Sequence, residues 1–515
     1  MQHVLSATML GVEALAVTVE VDIAGGLPFF ATVGLAEAAV RESRVRVQAA
    51  IHNSGHVFPA GRISVNLAPA HVRKDGTGFD LPIAMGILAA TGAIPSERLA
   101  EALVVGELSL SGEVRPVRGA LLAAEAARRS GRRCVLLAPE NGAEAALVGG
   151  VQARVVRTLS DVIAWAAGDD ERAPCAEPMP VPARADVLDL ADVRGQPFAR
   201  RALEVAAAGA HNLLFIGGPG AGKTMLARRL PGILPALDEE GALEVTRIHS
   251  VAGLTLGGSL ARTRPFRTPH HSTTPAGLVG GGAALPRPGE VSLAHRGVLF
   301  LDELPEFTRQ TLEVLREPLE SGEVVLSRAL GTLRFPARCM LVASMNPCPC
   351  GQRGSPRHTC RCSTHDVARY QGRISGPLLD RIDLHVDVPP VDLAALDGTV
   401  AGESSASVAE RVAIARALQQ ERQGTQNATV PASTLARVAR PDDDGRALLR
   451  RAVERLGLSA RSYDRMLRVA RTVADLDGAV CVRSVHIAEA LQYRSRMAMP
   501  HEHTWEPAPT TSHGP

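Results

Sequence analysis

Eight consecutive residues, Gly217, Gly218, Pro219, Gly220, Ala221, Gly222, Lys223 and Thr224, carry the glycine, lysine and hydroxyl spacing that cradles a polyphosphate. Glycines let successive backbone N–H groups curl around phosphate oxygens at the positive end of the following helix. A lysine in this place reaches the β- and γ-phosphates, and the threonine hydroxyl is a ligand for Mg²⁺. The flanks agree, since an apolar strand over residues 213–216 precedes the loop and a helix starting at Lys223 follows it. The chemistry expected is therefore binding of ATP with Mg²⁺.

A second apolar run, "GVLFLDELPEF", ends in Asp302 and Glu303. Phosphoryl transfer needs a carboxylate in the metal shell and a positioned nucleophile, so Asp302 is read as holding Mg²⁺ and Glu303 as polarising the attacking water. A third run, "MLVASMNP", ends at Asn346. Its neutral amide either orients that water beside the γ-phosphate or caps the turn before Pro347. Just beyond lie Cys348, Cys350, Cys360 and Cys362, as C-x-C, nine residues, C-x-C. Four thiolates in a short glycine- and proline-containing loop can close a tetrahedral Zn²⁺ site, with His358 and His365 as substitute ligands. The alternative is a set of reduced cysteines. A four-ligand site has no open position, so a zinc there would be structural rather than catalytic.

The elements that must position these groups are legible as composition regimes. Over residues 187–395 short apolar strands alternate with helices, the pattern of a mostly parallel sheet covered on both faces. Residues 1–165 mix alternating strands with alanine-rich helices; in "VTVEVDI", Val17, Val19, Val21 and Ile23 share one face. Residues 166–186, rich in Pro, Ala and charge, read as a linker. Residues 396–498 are helical, with "SVAERVAIARALQQERQ" opening on Ser407 and Glu410 in capping-box spacing. Residues 499–515 read as a disordered tail. The expected class is α/β, with an α+β N-terminal domain, a P-loop core built on a parallel sheet and a C-terminal helical lid.

Composition narrows the partners. A chain of 515 residues must divide into several domains. Lys+Arg 56 against Asp+Glu 54 leaves the whole nearly neutral, so any basic surface is local. An aromatic content of 3% leaves few rings on which to stack bases, against a sequence-reading single-strand binder. Eight cysteines in a chain this long do not make a disulfide framework. No apolar run is long enough to span a bilayer, and "MQHVLSATMLGVEAL" lacks the basic start of a secretory signal, so a cytoplasmic protein with no membrane partner is expected.

The stretches "RPFRTPHHSTTPAGLVGGG", "NPCPCG", "RISGPLLDRIDLHV" and "SARSYDRMLRVARTVADLDG" resemble the YifB/ComM family of magnesium-chelatase-like AAA+ ATPases, and the resemblance runs over nearly the whole chain. It implies an AAA+ module with an inserted segment in its second helix. It also implies a homo-oligomeric ring, usually a hexamer, with each ATP between subunits. Arg381 in "LLDRID" then matches the arginine finger that reaches a neighbour's nucleotide, and Arg461 in "SARSYD" the helical-lid arginine that touches the γ-phosphate. Without the family match, either arginine reads as a surface ion pair.

Residues 1–165 resemble the domain of Lon proteases, whose serine–lysine dyad needs both partners because a serine alcohol is a weak nucleophile alone. The matching positions here are Gly78 and Leu121, so no peptidase is expected, and the domain reads as a retained scaffold or docking module. The inserted region carries Arg262, Arg264, Arg267, His270, His271 and Arg287, and the candidate hairpin "SGEVVLSRALGTLRFPAR" carries Arg328, Arg334 and Arg338. In related helicases such elements reach the ring's pore, where arginines grip a phosphate backbone without reading bases. His270 and His271, as strand neighbours, would point to opposite sides and share no ligand. The function expected is a ring-forming ATPase that drives DNA translocation or remodelling, of the branch-migration type used in recombination or DNA uptake. The alternative is a chelatase-like motor that remodels a protein client docked on the N-terminal domain.

Overall fold

The computed structural model describes residues 1–515 apart from 36–39, 41, 75, 181–187, 255–257, 283–285, 329–330, 356–357, 392–401, 457–458 and 495–515. The expected tail, 499–515, lies outside the described residues. The chain forms two compact units that do not follow chain order. One gathers Met1–Val187, Ala236–Leu299 and Gln310–Cys339; the other gathers Leu188–Pro235, Phe300–Arg309 and Met340–Pro515.

The first unit is built on a seven-stranded mixed sheet. Its order is Phe29–Val33, Arg62–Ala68, Glu13–Ala24, Gln2–Leu10, Ala102–Val104, Cys134–Leu137 and Gln152–Val155. The first two long strands form an antiparallel hairpin in which Val4 faces Val19 and Gln2 faces Val21. The period of two works as expected: Val17, Val19 and Val21 are fully buried, and Ile23 packs at the edge of the same cluster. That cluster includes residues of the helices Ser43–Asn53, Asp80–Ala90 and Leu159–Ala166, and a separate one gathers around the alanine-rich helix Ala120–Arg129.

Part of the segment expected as linker is packed within this unit. Ala173 is fully buried, Val155 N–H donates to the Pro174 carbonyl, and Cys175 bridges Arg154. The inserted residues belong here as well. Helix Glu239–Ala252 is capped by the Asp238 carboxylate on Gly241 N–H (2.9 Å), and the hairpin Glu323–Arg328 with Gly331–Pro336 is antiparallel.

In the second unit, strand Leu213–Ile216 pairs in parallel with both Met340–Met345 and Leu384–Asp387. Strand Val298–Leu301, whose last two residues belong to this unit, neighbours Met340–Met345. These strands are short and apolar, and all are fully buried except at Asp387. Helices Pro197–Gly209 and Ser405–Gln423 and the C-terminal helices complete the unit. Helix Ser405–Gln423 starts three residues before the expected site. Ser404 is the cap, and Ser407 supplies the N–H it accepts. Two serines at that spacing make either register plausible from sequence alone.

The C-terminal helices are tied by a buried carboxylate. Asp475 accepts from Arg422 Nη1 (2.6 Å) and Nη2 (2.9 Å), Arg471 Nε (3.1 Å) and Asn427 Nδ2 (2.8 Å). His385, in the edge strand, is buried, and its imidazole is pushed down to about 4, first by desolvation and then by the Arg494 and Arg465 cations. Below an ordinary histidine pKa of about 6.5 the unfolded chain therefore takes up a proton that the folded chain refuses. Stability from this group is complete above that pH and is lost as the pH falls from there toward 4. Unfolding free energies from urea titrations at pH 7 and pH 5 are expected to differ by on the order of 2 kcal/mol less in His385→Leu than in the parent chain.

Candidate functional site

Parallel pairing brings three loops to one end of the sheet. Leu213 to Ile216 run in register with Val342 to Met345, and Gly217 N–H donates to the Met345 carbonyl (3.2 Å), so the glycine loop and Asn346 emerge side by side. Gly222 closes the loop at φ +88°, a left-handed conformation that favours glycine, and starts helix Lys223–Ala227.

Four of the expected residues meet directly. Lys223 Nζ donates to Gly217 O (2.6 Å), Gly218 O (2.9 Å) and Asn346 Oδ1 (3.1 Å). Thr224 Oγ1 donates to Asp302 Oδ2 (2.8 Å). Burial lowers the Lys223 pKa, and the Asp302 and Glu303 carboxylates oppose that shift. A hydroxyl and a carboxylate oxygen in contact are the hard-oxygen donors that Mg²⁺ prefers, and a glycine loop with a lysine beside it fits a polyphosphate. Glu303 follows Asp302 in the left-handed region, at φ 53°, with its side chain exposed. Its N–H donates to Asp302 Oδ1 (3.1 Å) and to Ser344 Oγ (3.3 Å). A non-glycine residue held there stores strain of about 1–2 kcal/mol, as functional sites often do.

The two arginines stand elsewhere. Arg381 precedes strand Leu384–Asp387, and its carbonyl accepts from Asn212 Nδ2 (2.8 Å), the residue before the glycine-loop strand. It therefore sits at the opposite end of that strand from the loop, about 13 Å away at 3.3 Å per residue. Its Nη1 donates to Pro377 O (2.8 Å). Arg461 is exposed in the first turn of helix Ala460–Leu476. One turn on, Arg465 donates to Asp380 Oδ1 (3.2 Å), at the same end of the sheet as Arg381. The backbone of Arg381 thus leaves the sheet at the end away from the glycine loop of its own chain.

The four cysteines do come together. Cys348 Sγ lies 3.4 Å from Cys350 and 3.6 Å from Cys360, and Cys350 lies 3.6 Å from Cys360. With Cys362 all four thiols fall within 4.8 Å of one another, and neither His358 nor His365 belongs to the group. The Cys350 thiol is lowered to about 6, chiefly by hydrogen bonds from the backbone at Gln352 and Arg361.

Sequence reasoning missed Ser344, Gln196 and Tyr370. The buried Ser344 hydroxyl donates to Asp302 Oδ1, and its signal was present, because it stands two residues before Asn346 on one strand face. Gln196, at φ 57° before helix Pro197–Gly209, donates to the carbonyls of Ala221 and Pro389. The Tyr370 hydroxyl bonds the Asn346 backbone, and burial raises it to about 12.

In the first unit, Gly78 lines a cavity of about 850 Å³ together with Thr8, Thr77, Glu107, Arg118 and Asn141. Leu121 is fully buried. The Lys74 ammonium is consumed by the carbonyls of Gly34 (3.0 Å) and Pro69, and Ser64 is exposed on its strand. Among the expected pore arginines, Arg264 is half-buried and donates to Arg296 O (2.6 Å), and Arg267 is clamped by Glu290 (2.7 and 2.9 Å). Desolvation brings Arg264 down to about 10. Arg262, Arg287, Arg334 and Arg338 are exposed, with Arg334 paired to Glu323; the Arg328 side chain lies outside the described residues. His270 and His271 occupy a turn rather than a strand, so their rings lie side by side, centroids 4.0 Å apart.

A glycine loop, an acidic strand end and a polar strand end on a parallel sheet, followed by a helical region, fit the chelatase-like AAA+ fold, a class of ATPases. Family models agree: "Magnesium chelatase, subunit ChlI" matches residues 189–396, "Subunit ChlI of Mg-chelatase" 19–141, and "Magnesium chelatase, subunit ChlI C-terminal" 402–494. The chain is 44% identical over 502 residues to the competence protein ComM of Haemophilus influenzae, covering 96% of this chain and 98% of that one. It is 45% identical over 489 residues to YifB of Escherichia coli, covering 94% and 95%. A magnesium-chelatase 38 kDa subunit of Acidiphilium rubrum is 27% identical over 224 residues, covering 41% and 56%. The chain belongs to the YifB/ComM family of magnesium-chelatase-like proteins. No helix among the described residues is long and apolar enough to cross a membrane.

Because Glu303 pays a conformational strain that glycine would not, Glu303→Gly is expected to raise the urea-unfolding stability by about 0.5–1 kcal/mol while removing the carboxylate. An unchanged or lower midpoint would mean that the strain of the turn does not exceed the entropy that glycine adds to the unfolded chain.

Proposed function

We propose that the chain is an ATP hydrolase that assembles as a ring and couples hydrolysis to remodelling of DNA, of the branch-migration kind. The observation that carries the hydrolase reading is the joining of Lys223, Thr224, Asp302 and Asn346 by hydrogen bonds of 2.8–3.1 Å at one end of a parallel sheet. Lys223 and the amides of Gly217 to Thr224 would bind the phosphates. Thr224 and Asp302 would hold Mg²⁺, which supplies neutralisation of phosphate charge when bound. Glu303 would polarise the attacking water, Asn346 would orient it, and Ser344 would keep the Asp302 carboxylate turned toward the metal.

The ring reading is supported by Arg381 standing about 13 Å of strand from its own glycine loop, a distance that suits a finger offered to a neighbouring copy. Arg461 would serve the same shared site. Oligomers are usual for chelatase-like AAA+ proteins. The DNA reading is supported by the exposed Arg262, Arg287 and Arg338, which suit contact with a phosphate backbone, and by the word competence in the name of the Haemophilus relative.

A second reading, remodelling of a protein client, is favoured by the cavity of the first unit and by the likeness to magnesium-chelatase subunits. In both readings residues 1–165 would be a Lon-protease-like module without peptidase chemistry, because Gly78 and Leu121 stand where the dyad would be.

The steady-state ATPase rate is expected to rise with single-stranded or branched DNA, and the stimulation to fall as salt is raised, because phosphate contacts release counterions. An active ATPase indifferent to every DNA form would instead favour the protein-client reading. Arg381→Ala mixed with the parent chain is expected to depress hydrolysis below the weighted sum of the two proteins; strict additivity would mean self-contained sites.

A further inference from the structure

The cysteine loop is not a free appendage, because it forms a wall against the phosphate loop. It leaves strand Met340–Met345 through Asn346 and rejoins the fold at helix Thr364–Gln371, whose start is fixed by a Ser363–Asp366 capping box. From that helix Gln371 Nε2 donates to Pro347 O (3.1 Å). Between these anchors Gly351 turns at φ +75°, its N–H on the Cys348 carbonyl (2.9 Å). A β-carbon at Gly351 would lie 2.5 Å from Pro219 Cδ and 2.8 Å from Pro219 Cγ, and one at Gly218 would lie 3.1 Å from Gly351 O. The turn between two of the cysteines is thus pressed onto the second and third residues of the phosphate loop.

The thiols themselves are arranged for a metal. A tetrahedral Zn²⁺ with bonds of about 2.3 Å requires sulfur atoms about 3.8 Å apart. The distances of 3.4, 3.6 and 3.6 Å among Cys348, Cys350 and Cys360 fall just short of that edge and far beyond the roughly 2.05 Å of a disulfide. Cys348 is fully buried, so one corner of the tetrahedron is set in the core.

We propose that Cys348, Cys350, Cys360 and Cys362 bind one thiophilic divalent cation of the zinc class, and that the metal fixes the wall formed by Gly351 against Gly218 and Pro219, so that its occupancy sets nucleotide affinity. The second half rests on the nucleotide reading of the glycine loop; the first half does not. Loss of the metal would free the Cys348–Cys362 segment, relax the contact on Pro219 and loosen Asn346, which stands two residues before Cys348 and accepts from the Lys223 ammonium.

The test uses the full chain purified without chelator. Elemental analysis is expected to give close to one zinc per chain, and Co²⁺ exchanged into the site should show the charge-transfer and d–d bands of a tetrahedral tetrathiolate. Removing the metal with a thiol-reactive mercurial and a zinc-binding dye, then restoring thiols with dithiothreitol, is expected to weaken ATP binding by about tenfold, with recovery on adding Zn²⁺. Cys350→Ser with Cys362→Ser should lose the metal and show the same weakening. Gly351→Ala should keep the metal yet bind ATP about tenfold more weakly, because only the wall is displaced. Lys223→Ala should keep the metal and lose ATP.

Negligible zinc in a folded chain that binds ATP would overturn the metal assignment. Unchanged ATP affinity after removal of a full zinc would overturn the coupling. A zinc-loaded parent chain that bound no ATP would overturn the nucleotide reading, and the coupling with it, while leaving the metal site standing.

Discussion

The second unit depends on the parallel register between Leu213–Ile216 and Met340–Met345. Once Ile216 is opposite Met345, Gly217 and Asn346 must leave the sheet together, and the lysine that ends the glycine loop falls within reach of the asparagine amide. A slip of one residue would turn Ser344 and Asn346 to the other face and break their bonds to Asp302 and Lys223 at once. The polar atoms of the site are few and individually weak. They are held by a packing decision made among Leu213, Leu214, Phe215, Val342 and Ala343, all fully buried.

Much of this was legible in the sequence, for a local reason. Glycines at fixed spacing, an apolar run closing in two acids and another closing in asparagine each carry their meaning within ten residues. The four cysteines could be grouped on spacing alone, and the structure places them as a group. What could not be read were the partners supplied from a distance. Glu290 neutralises Arg267 from 23 residues away, and the Arg296 carbonyl captures Arg264 from 32, so two of the expected pore cations are spent inside the first unit.

Nor does a motif say at which end of a strand it falls in space. Arg381 and the glycine loop both flank strands of one sheet, but one precedes its strand and the other follows. That difference, invisible in a list of motifs, separates them by the length of the strand. Ser344 lay in plain view at period two from Asn346. Its role depended on Asp302 arriving from another strand, which no local pattern announces.

The interleaving of the two units also bears on how the polypeptide is made. A ribosome delivers Met1–Val187 first, yet the unit they begin is completed only when Gln310–Cys339 has emerged. In between, Leu188–Pro235, with the whole phosphate loop, must wait for Met340–Met345 to supply its neighbouring strand. The seven-stranded sheet of the first unit can pair as soon as Gln152–Val155 has emerged, but the apolar strand Leu213–Ile216 stays without its neighbour until Met340–Met345 is made. That wait leaves an apolar segment open to mispairing for more than a hundred residues of synthesis.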